Sequence, residues 1–444
     1  MALDQETMDQ LLNTVDRFVE QRLRPLESQV GENDKIPDDV IEEMKQLGFY
    51  GLTIPESYGG LGLNMSEEIQ VVRLFGHTSP AFRSAFGTNV GIGSQSLVID
   101  GTEAQKQQYL PKMATGEIVG SFCLTEPEAG SDAASVKMTA VKVGSNYMLN
   151  GTKRYITNAP QADLFTVFAR TNQAEKGARG VSAFLVDADT QGISMGKPYN
   201  KMGQQGAHVC DVIFEDVEVS AETLVGGNEN VGFKTAMKVL DKGRLHISAL
   251  SIGIAERLIS DSLNYSIERK QFGQSIAEFQ LIQGMLADSQ TETYAAQCMV
   301  ADTARRRDTG ENVATLAASC KLFATEMVGR VADRAVQIHG GYGYSREYPV
   351  ASCMNCLNLD KSNIPPIPKT LLLSNPEVLY AICAIGSNGF VTGIIIASSA
   401  NFLILPTTSF TTPALIFNKS ILVIPGFLPA PATTTTIFEP FISS

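Results

Sequence analysis

Four short segments of this 444-residue chain carry side chains that can do chemistry. The first is Leu124-Thr125-Glu126-Pro127-Glu128-Ala129-Gly130-Ser131-Asp132, which directly follows the apolar run 118–124. Its Thr, Pro, Gly and Ser residues supply hydroxyl and N–H donors on a fixed loop, and such donors can hold a polar ring edge or an anion. The second, Lys153-Arg154-Tyr155-Ile156-Thr157-Asn158, puts an aromatic ring beside a hydroxyl. That pairing can stack on a flat cofactor and hydrogen-bond to it. The third, Arg269-Lys270-Gln271-Phe272-Gly273, offers a guanidinium suited to a phosphate. The fourth, Gln337-Ile338-His339-Gly340-Gly341-Tyr342-Gly343-Tyr344, has glycines through which backbone can approach a ligand closely. Each also has a plainer reading: a hairpin loop, a strand with an aromatic core residue, a solvated helix end stopped by glycine, and a turn beside a packed histidine. The fourth run follows a helix, so it is neither a dinucleotide fingerprint nor a strand–Gly–helix phosphate loop.

Composition narrows the partners. A formal charge of -12 argues against a nucleic acid held by phosphate neutralisation and fits small-molecule chemistry or docking through acidic patches. The seven cysteines (Cys123, Cys210, Cys298, Cys320, Cys353, Cys356 and Cys383) read as reduced thiols of a cytosolic compartment. Cys353-x-x-Cys356 lacks the second pair that a zinc site needs, and the chain has four His. Asp4, Glu6 and Asp9 with no apolar run after them make neither a signal nor a transit peptide. A bacterial-type cytoplasm, or a mature organelle form, is the expected location.

The elements that must position these segments follow from periodicity. Hydrophobic residues at 44% can fill sizeable cores, and about 150 residues per domain gives roughly three domains. Helical spacing predicts a helix over 6–26, ended by Pro25, another over 38–47, a turn-rich loop at 55–62, and two or three more helices before 118. Strand-like runs then appear at 141–143, 147–149, 164–169, 181–186 and 212–214, with Asn150-Gly151 as a hairpin signal. This block, 119–232, reads as an antiparallel sheet or barrel. From 233 the helical period returns: 233–240 with 247–270 as one long helix with a break, then 279–307 and 312–338, a bundle pattern.

The last 94 residues are different in kind. Six are charged, none is Arg, and Thr433 to Thr436 is a homopolymer. The apolar run 390–405 is shorter than the roughly 20 residues of a membrane helix, so a membrane span is not expected. The abrupt loss of charge and period resembles an out-of-frame translation or an unrelated fusion.

In this order, within helices, sheet and helices, the four segments resemble the acyl-CoA dehydrogenase family over residues 1–350. Thr-Glu-Pro-x-Ala-Gly-Ser-Asp carries the resemblance, and Arg-Lys-x-Phe-Gly and Gly-Gly-x-Gly support it. The resemblance implies an α+β fold: an N-terminal helical domain (1–118), a middle antiparallel β-domain (119–232) and a C-terminal helical bundle (233–350), incomplete and followed by a non-family tail (351–444). It also implies FAD as cofactor, an acyl-CoA substrate, an electron-transferring flavoprotein as acceptor, and a homotetramer or homodimer. Phe122, Leu124, Thr125 and Ser131 would line the flavin, with Ser131 also near the thioester, and Tyr155 and Thr157 would lie against its ring. Many members have Trp where Tyr155 stands. Arg269, Phe272, Gln280, Gln337, Gly340 and Gly341 would reach the FAD of a neighbouring subunit. Leu240, Asp241 and Arg244 would contact the acyl-CoA.

The implied reaction removes the weakly acidic α-proton of a thioester, which demands a carboxylate in a dry pocket. In most of the family this Glu lies in Tyr-Glu-Gly-Thr, some 25 residues beyond the Tyr-Pro-Val matched by Tyr348-Pro349-Val350. No Glu-Gly-Thr follows here; Glu377 is at about the right distance without the flanking pattern. A minority of the family carries the base just before the Arg equivalent to Arg244, where this chain has Gly243. Glu126 and Glu128 belong to the flavin loop. The expectation is therefore a family member with little or no dehydrogenase activity. Set beside it are a noncatalytic flavin- or acyl-CoA-binding protein, a poorly folded frameshift product, and an acyl-CoA oxidase.

Overall fold

The computed structural model describes residues 3–345, 348 and 350, and the backbone of short strands in the tail at 383–385, 391–398, 401–406, 414–417 and 420–423. Two compact units result, Met1–Pro365 and Pro366–Ser444.

The first unit begins with helices. These are α1 (Gln5–Phe18), α2 (Glu27–Asn33), α3 (Asp38–Gln46), α4 (Met65–Phe75), α5 (Pro80–Thr88), α6 (Ser94–Asp100) and α7 (Glu103–Thr115). Their core is an aromatic nest: Phe49 meets Phe75 edge-on at 5.2 Å, and Phe86 lies 4.7 Å from Phe75. Pro25 does not end a helix over 6–26 as expected. The α-helical turns stop at Phe18, a π turn spans Val19–Leu23, and Pro25 sits inside a 3-10 turn, Arg24–Leu26. A proline tolerates that first-turn position because no N–H is needed there. A second π turn, Asn89–Gly93, joins α5 to α6.

The sheet follows: β1 (Gly120–Cys123), β2 (Thr139–Val143), β3 (Asn146–Thr157), β4 (Leu164–Arg170), β5 (Val181–Asp187), β6 (Ile193–Met195) and β7 (Val209–Ser220). Its order is β1-β4-β2-β3-β7-β6, with β5 on β4. It is not purely antiparallel, because β1 runs parallel to β4. Asn150-Gly151 is not a hairpin turn either. It lies inside β3 at a register shift, with Gly151 at φ 149, and the β2–β3 turn is Gly144-Ser145. A Cβ on Gly151 would come within 2.9 Å of the Met138 side chain, so the bulge needs its glycine.

The bundle helices are α8 (Gly232–Glu268), α9 (Gln280–Asp308) and α10 (Ala314–His339). The break expected in α8 is absent; it is continuous for 37 residues. It crosses α4 at a glycine pair. A Cβ on Gly76 would lie 2.7 Å from Gly253 Cα, and one on Gly253 would lie 1.8 Å from the Arg73 carbonyl oxygen. Only glycines allow that approach. Between α8 and α9 a two-strand ribbon, β8 (Lys270–Gln271) and β9 (Gln274–Ser275), turns at Phe272-Gly273.

Among the described residues no helix is long and apolar enough to cross a membrane. In the second unit Val391–Ser398 pairs antiparallel with Asn401–Pro406, so the described part of the apolar run is extended strand. Glu377, Cys353 and Cys356 lie outside the described residues.

Candidate functional site

The β-domain segments come together on the edge of β1 and β3. Phe122 and Leu124 are buried, and the Phe122 ring packs 4.7 Å from Phe168. Their side chains belong to the core, so what they present outward is backbone. Thr125 is half-buried, and its carbonyl accepts the Arg154 N–H at 2.8 Å, which ties the loop after β1 to β3. Ser121 Oγ donates to the Thr157 carbonyl at 2.5 Å and fixes the other end of that seam. Ser131 is exposed further along the loop.

Tyr155 sits at a register shift in β3 with φ 56, a left-handed backbone that an aromatic residue rarely adopts. The twist throws its ring out of the sheet. It is 60% exposed, with the Tyr199 ring 5.0 Å away. Asn158, also left-handed at φ 59, bonds the α5 carbonyls of Ser84 at 2.7 Å and Ala85 at 3.3 Å. The seam is thereby locked to the helical layer.

The bundle segments gather elsewhere, at the far end of α8. Arg269 caps that helix and is exposed. Phe272 and Gly273 have φ 54 and 82, as a two-residue ribbon turn requires, and the Phe272 ring is 95% exposed at the tip. Gln280 opens α9, also exposed. Gln337 lies in the last turn of α10, and Gly340 turns the chain at φ 60, ψ -131, a conformation open to glycine. His339 is the packed histidine the sequence suggested. It is buried, its Nδ1 bonds the Ala335 carbonyl at 2.8 Å, and its ring stacks on Tyr265 at 4.4 Å.

The third group lies midway along α8. Asp241 and Arg244 form an ion pair. Burial pushes the Asp241 carboxyl above its ordinary range, against the pull of Arg244 and Arg307. Asp241 lines a cavity of about 260 Å³ with Lys238, Arg307, Asn312 and Ile99. Leu240 is half-buried beside it. Gly243 is half-buried, and a Cβ there would meet Ile92 Cγ2 of the π turn at an ordinary contact distance of 3.8 Å.

Two buried clusters were missed by the sequence reading. Lys153, fully buried, pairs with Glu126 at 2.8 Å beneath the loop. Lys153 continues the inward alternation of Tyr147 and Leu149 along β3, and that was the available signal. Burial lowers the Lys153 ammonium from the usual lysine range, and the Glu126 charge opposes it. Under α8, Glu68 Oε1 lies 2.6 Å from His246 Nδ1, Lys242 Nζ lies 3.2 Å from Glu68 Oε2, and Arg83 Nε lies 2.6 Å from His246 Nε2. Burial, then the Arg83 charge, push His246 down to about 4. Burial would raise Glu68, but Lys242 and His246 outweigh it and hold its carboxyl low.

Profiles of three domains match nearly all of the first unit: "Acyl-CoA dehydrogenase, N-terminal domain" over residues 5–117, "middle domain" over 121–217 and "C-terminal domain" over 230–359. The chain belongs to the acyl-CoA dehydrogenase family. Its relatives are oxidoreductases acting on CH–CH groups of acyl-CoA thioesters. One, the caffeyl-CoA reductase-Etf complex subunit CarC of Acetobacterium woodii, is 40% identical over 322 residues, 72% of this chain and 84% of that protein. Acryloyl-CoA reductase (NADH) of Anaerotignum propionicum is 39% identical over 352 residues, 79% of this chain and 88% of its own length. The structure of butyryl-CoA dehydrogenase from Megasphaera elsdenii superimposes with a TM-score of 0.79 at 34% identity, covering 84% of this chain and 98% of that one.

Proposed function

We propose that this family member binds FAD and an acyl-CoA thioester but abstracts the α-proton poorly. The observation that carries FAD binding is Tyr155: its left-handed backbone at φ 56 turns an aromatic ring 60% exposed out of the sheet, one residue from the Arg154 N–H that holds the Thr125 carbonyl. An exposed ring beside hydroxyl-bearing residues suits stacking on a flat ligand.

Thr125, Ser131, Tyr155 and Thr157 would hold the flavin ring on one chain, with backbone from Phe122 and Leu124. Arg269, Phe272, Gln280, Gln337, Gly340 and Gly341 share none of these contacts, which supports their serving a second copy in a homodimer or homotetramer. When bound, the flavin supplies a hydride acceptor. Leu240, Asp241 and Arg244 would orient the thioester along α8, with Lys238 and Arg307 near its charged end. An electron-transferring flavoprotein is the expected redox partner, and the Acetobacterium relative, a subunit of a reductase-Etf complex, supports it.

Neither family position for the base supplies one within the described residues. Gly243 has no side chain, and Glu377 falls outside them. The test uses purified, FAD-loaded chain mixed anaerobically with acyl-CoAs of several lengths. Little loss of flavin absorbance is expected. Gly243→Glu, at a position that accommodates a Cβ, is expected to speed that loss roughly 10²-fold, the scale of a general base. Rapid loss in the unmodified chain would refute the missing base.

A second reading is favoured by the two reductases above. The same chemistry run backwards would saturate a 2-enoyl-CoA. Adding enoyl-CoA to the chemically reduced flavoprotein tests it: return of the flavin absorbance would support reductase chemistry. It would also show that a group able to protonate the α-carbon is present, because acid and base are the same group in the two directions.

A further inference from the structure

The loop carrying Thr125, Gly130 and Ser131 is held at both ends by one buried pair of opposite charges. Glu126 accepts the N–H of Lys137 at 2.6 Å on Oε2 and that of Met138 at 3.0 Å on Oε1. A side chain at the start of the loop thus grips the backbone where the loop ends. Lys153 Nζ completes the grip, reaching Glu126 Oε1 at 2.8 Å and the Leu124 carbonyl at 3.1 Å. Between these anchors the bonds are local and shallow: Glu126 and Ala129 exchange backbone bonds of 3.0 and 3.2 Å, Ser135 bonds Asp132, and Lys137 pairs with Glu128 at the surface.

We infer that Lys153 and Glu126 are positioning residues for the flavin-binding loop, a buried clamp that fixes Thr125 and Ser131 where they meet the ring. The inference rests on the FAD-binding reading above. The chemistry supports a specific role rather than general packing. An ammonium with no exposure is tolerated because a carboxylate and a carbonyl both face it. The carboxylate in turn satisfies two backbone donors that would otherwise be orphaned at the loop's return. Lys153 has no exposure and Glu126 only 6%, so the clamp is much less sensitive to salt than the exposed Lys137–Glu128 pair over the same loop.

The test compares the full chain with Lys153→Met, Lys153→Arg and Glu126→Gln, with Lys137→Ala as surface control. Hydrogen exchange without FAD is the first readout. Faster exchange at residues 124–138 is expected in Lys153→Met and Glu126→Gln, larger than the uniform increase that global destabilisation gives β4, β5 and the helices. FAD affinity by equilibrium titration is the second. A loss of tenfold or more is expected in both variants, partly restored in Lys153→Arg and absent in Lys137→Ala. If Glu126→Gln folds poorly, Lys153→Arg against the parent carries the affinity comparison. Unchanged loop exchange, or a loop that loosens with no change in FAD affinity and midpoint potential, overturns the clamp. A parent chain that binds no FAD overturns the functional reading on which it rests, whatever the exchange shows.

Discussion

Lys153 and Tyr265 both stand behind residues expected to touch the same cofactor, and they hold those residues by opposite means. Lys153 is a charge with no solvent exposure, locked to the Leu124 carbonyl and to Glu126, which in turn holds the backbone where the loop ends. Tyr265 is half-buried and supports the Gly340 turn by stacking on His339, with Tyr342 and Tyr348 edge-on at 6.5 and 6.2 Å. Around it Phe272 and Tyr344 are 95% and 91% exposed. The bundle half spends large apolar surface on water, which a soluble chain does where something covers it.

The sharpest way to break that contrast is to remove each support and measure stability. Lys153→Met leaves a buried carboxylate unpaired and is expected to cost about 3–5 kcal/mol in urea unfolding. Arg269→Ala, at an exposed helix end, is expected to change stability by less than about 0.5 kcal/mol. Equal effects would erase the difference between the halves.

Acid unfolding probes the second buried cluster. His246 faces Glu68 and Lys242 and accepts from Arg83, and its folded pKa of about 4 lies below the unfolded value near 6.5. The neutral form is therefore favoured in the fold. Its contribution is complete above pH 6.5 and is lost as pH falls from there toward 4, a decline on the order of 3 kcal/mol. Unfolding curves across that window should show the decline, and His246→Gln should flatten it. A slope unchanged by the substitution would mean that His246 does not carry it.

The smallest effect is expected at the ribbon tip. Phe272→Ala should leave unfolding unchanged while weakening FAD binding roughly tenfold, about 1.4 kcal/mol. Sedimentation of the same variant shows whether the tip also joins two copies. A destabilised monomer with normal FAD affinity would assign Phe272 to folding instead.

Local periodicity made the helices and most strands legible, because buried faces repeat every 3.6 or 2 residues. The four segments were legible because their residue types are unusual together. What escaped depends on contacts distant in sequence. Glu126 and Lys153 are 27 residues apart, and Glu68 and His246 are 178 apart, and no local pattern announces either pair. Asn150-Gly151 misled for a related reason. The dipeptide favours left-handed and extended glycine backbone generally, and pairing with β7 turned that freedom into a bulge rather than a hairpin. Pro25 likewise marked a change of helix type, not an end.

The crossing at Gly76 and Gly253 makes α8 a lever with a fixed fulcrum. Gly243 lies ten residues before Gly253 and Arg269 sixteen after it, about 15 and 24 Å along the helix at 1.5 Å per residue. A tilt of about 5° there would swing the Gly243 end by roughly 1.3 Å and the Arg269 end by roughly 2 Å the other way, given those arm lengths. A misplacement of about 1 Å can cost roughly 10²-fold in rate. A methyl group added at this crossing would therefore shift the Asp241–Arg244 pair and the Phe272 tip in one stroke.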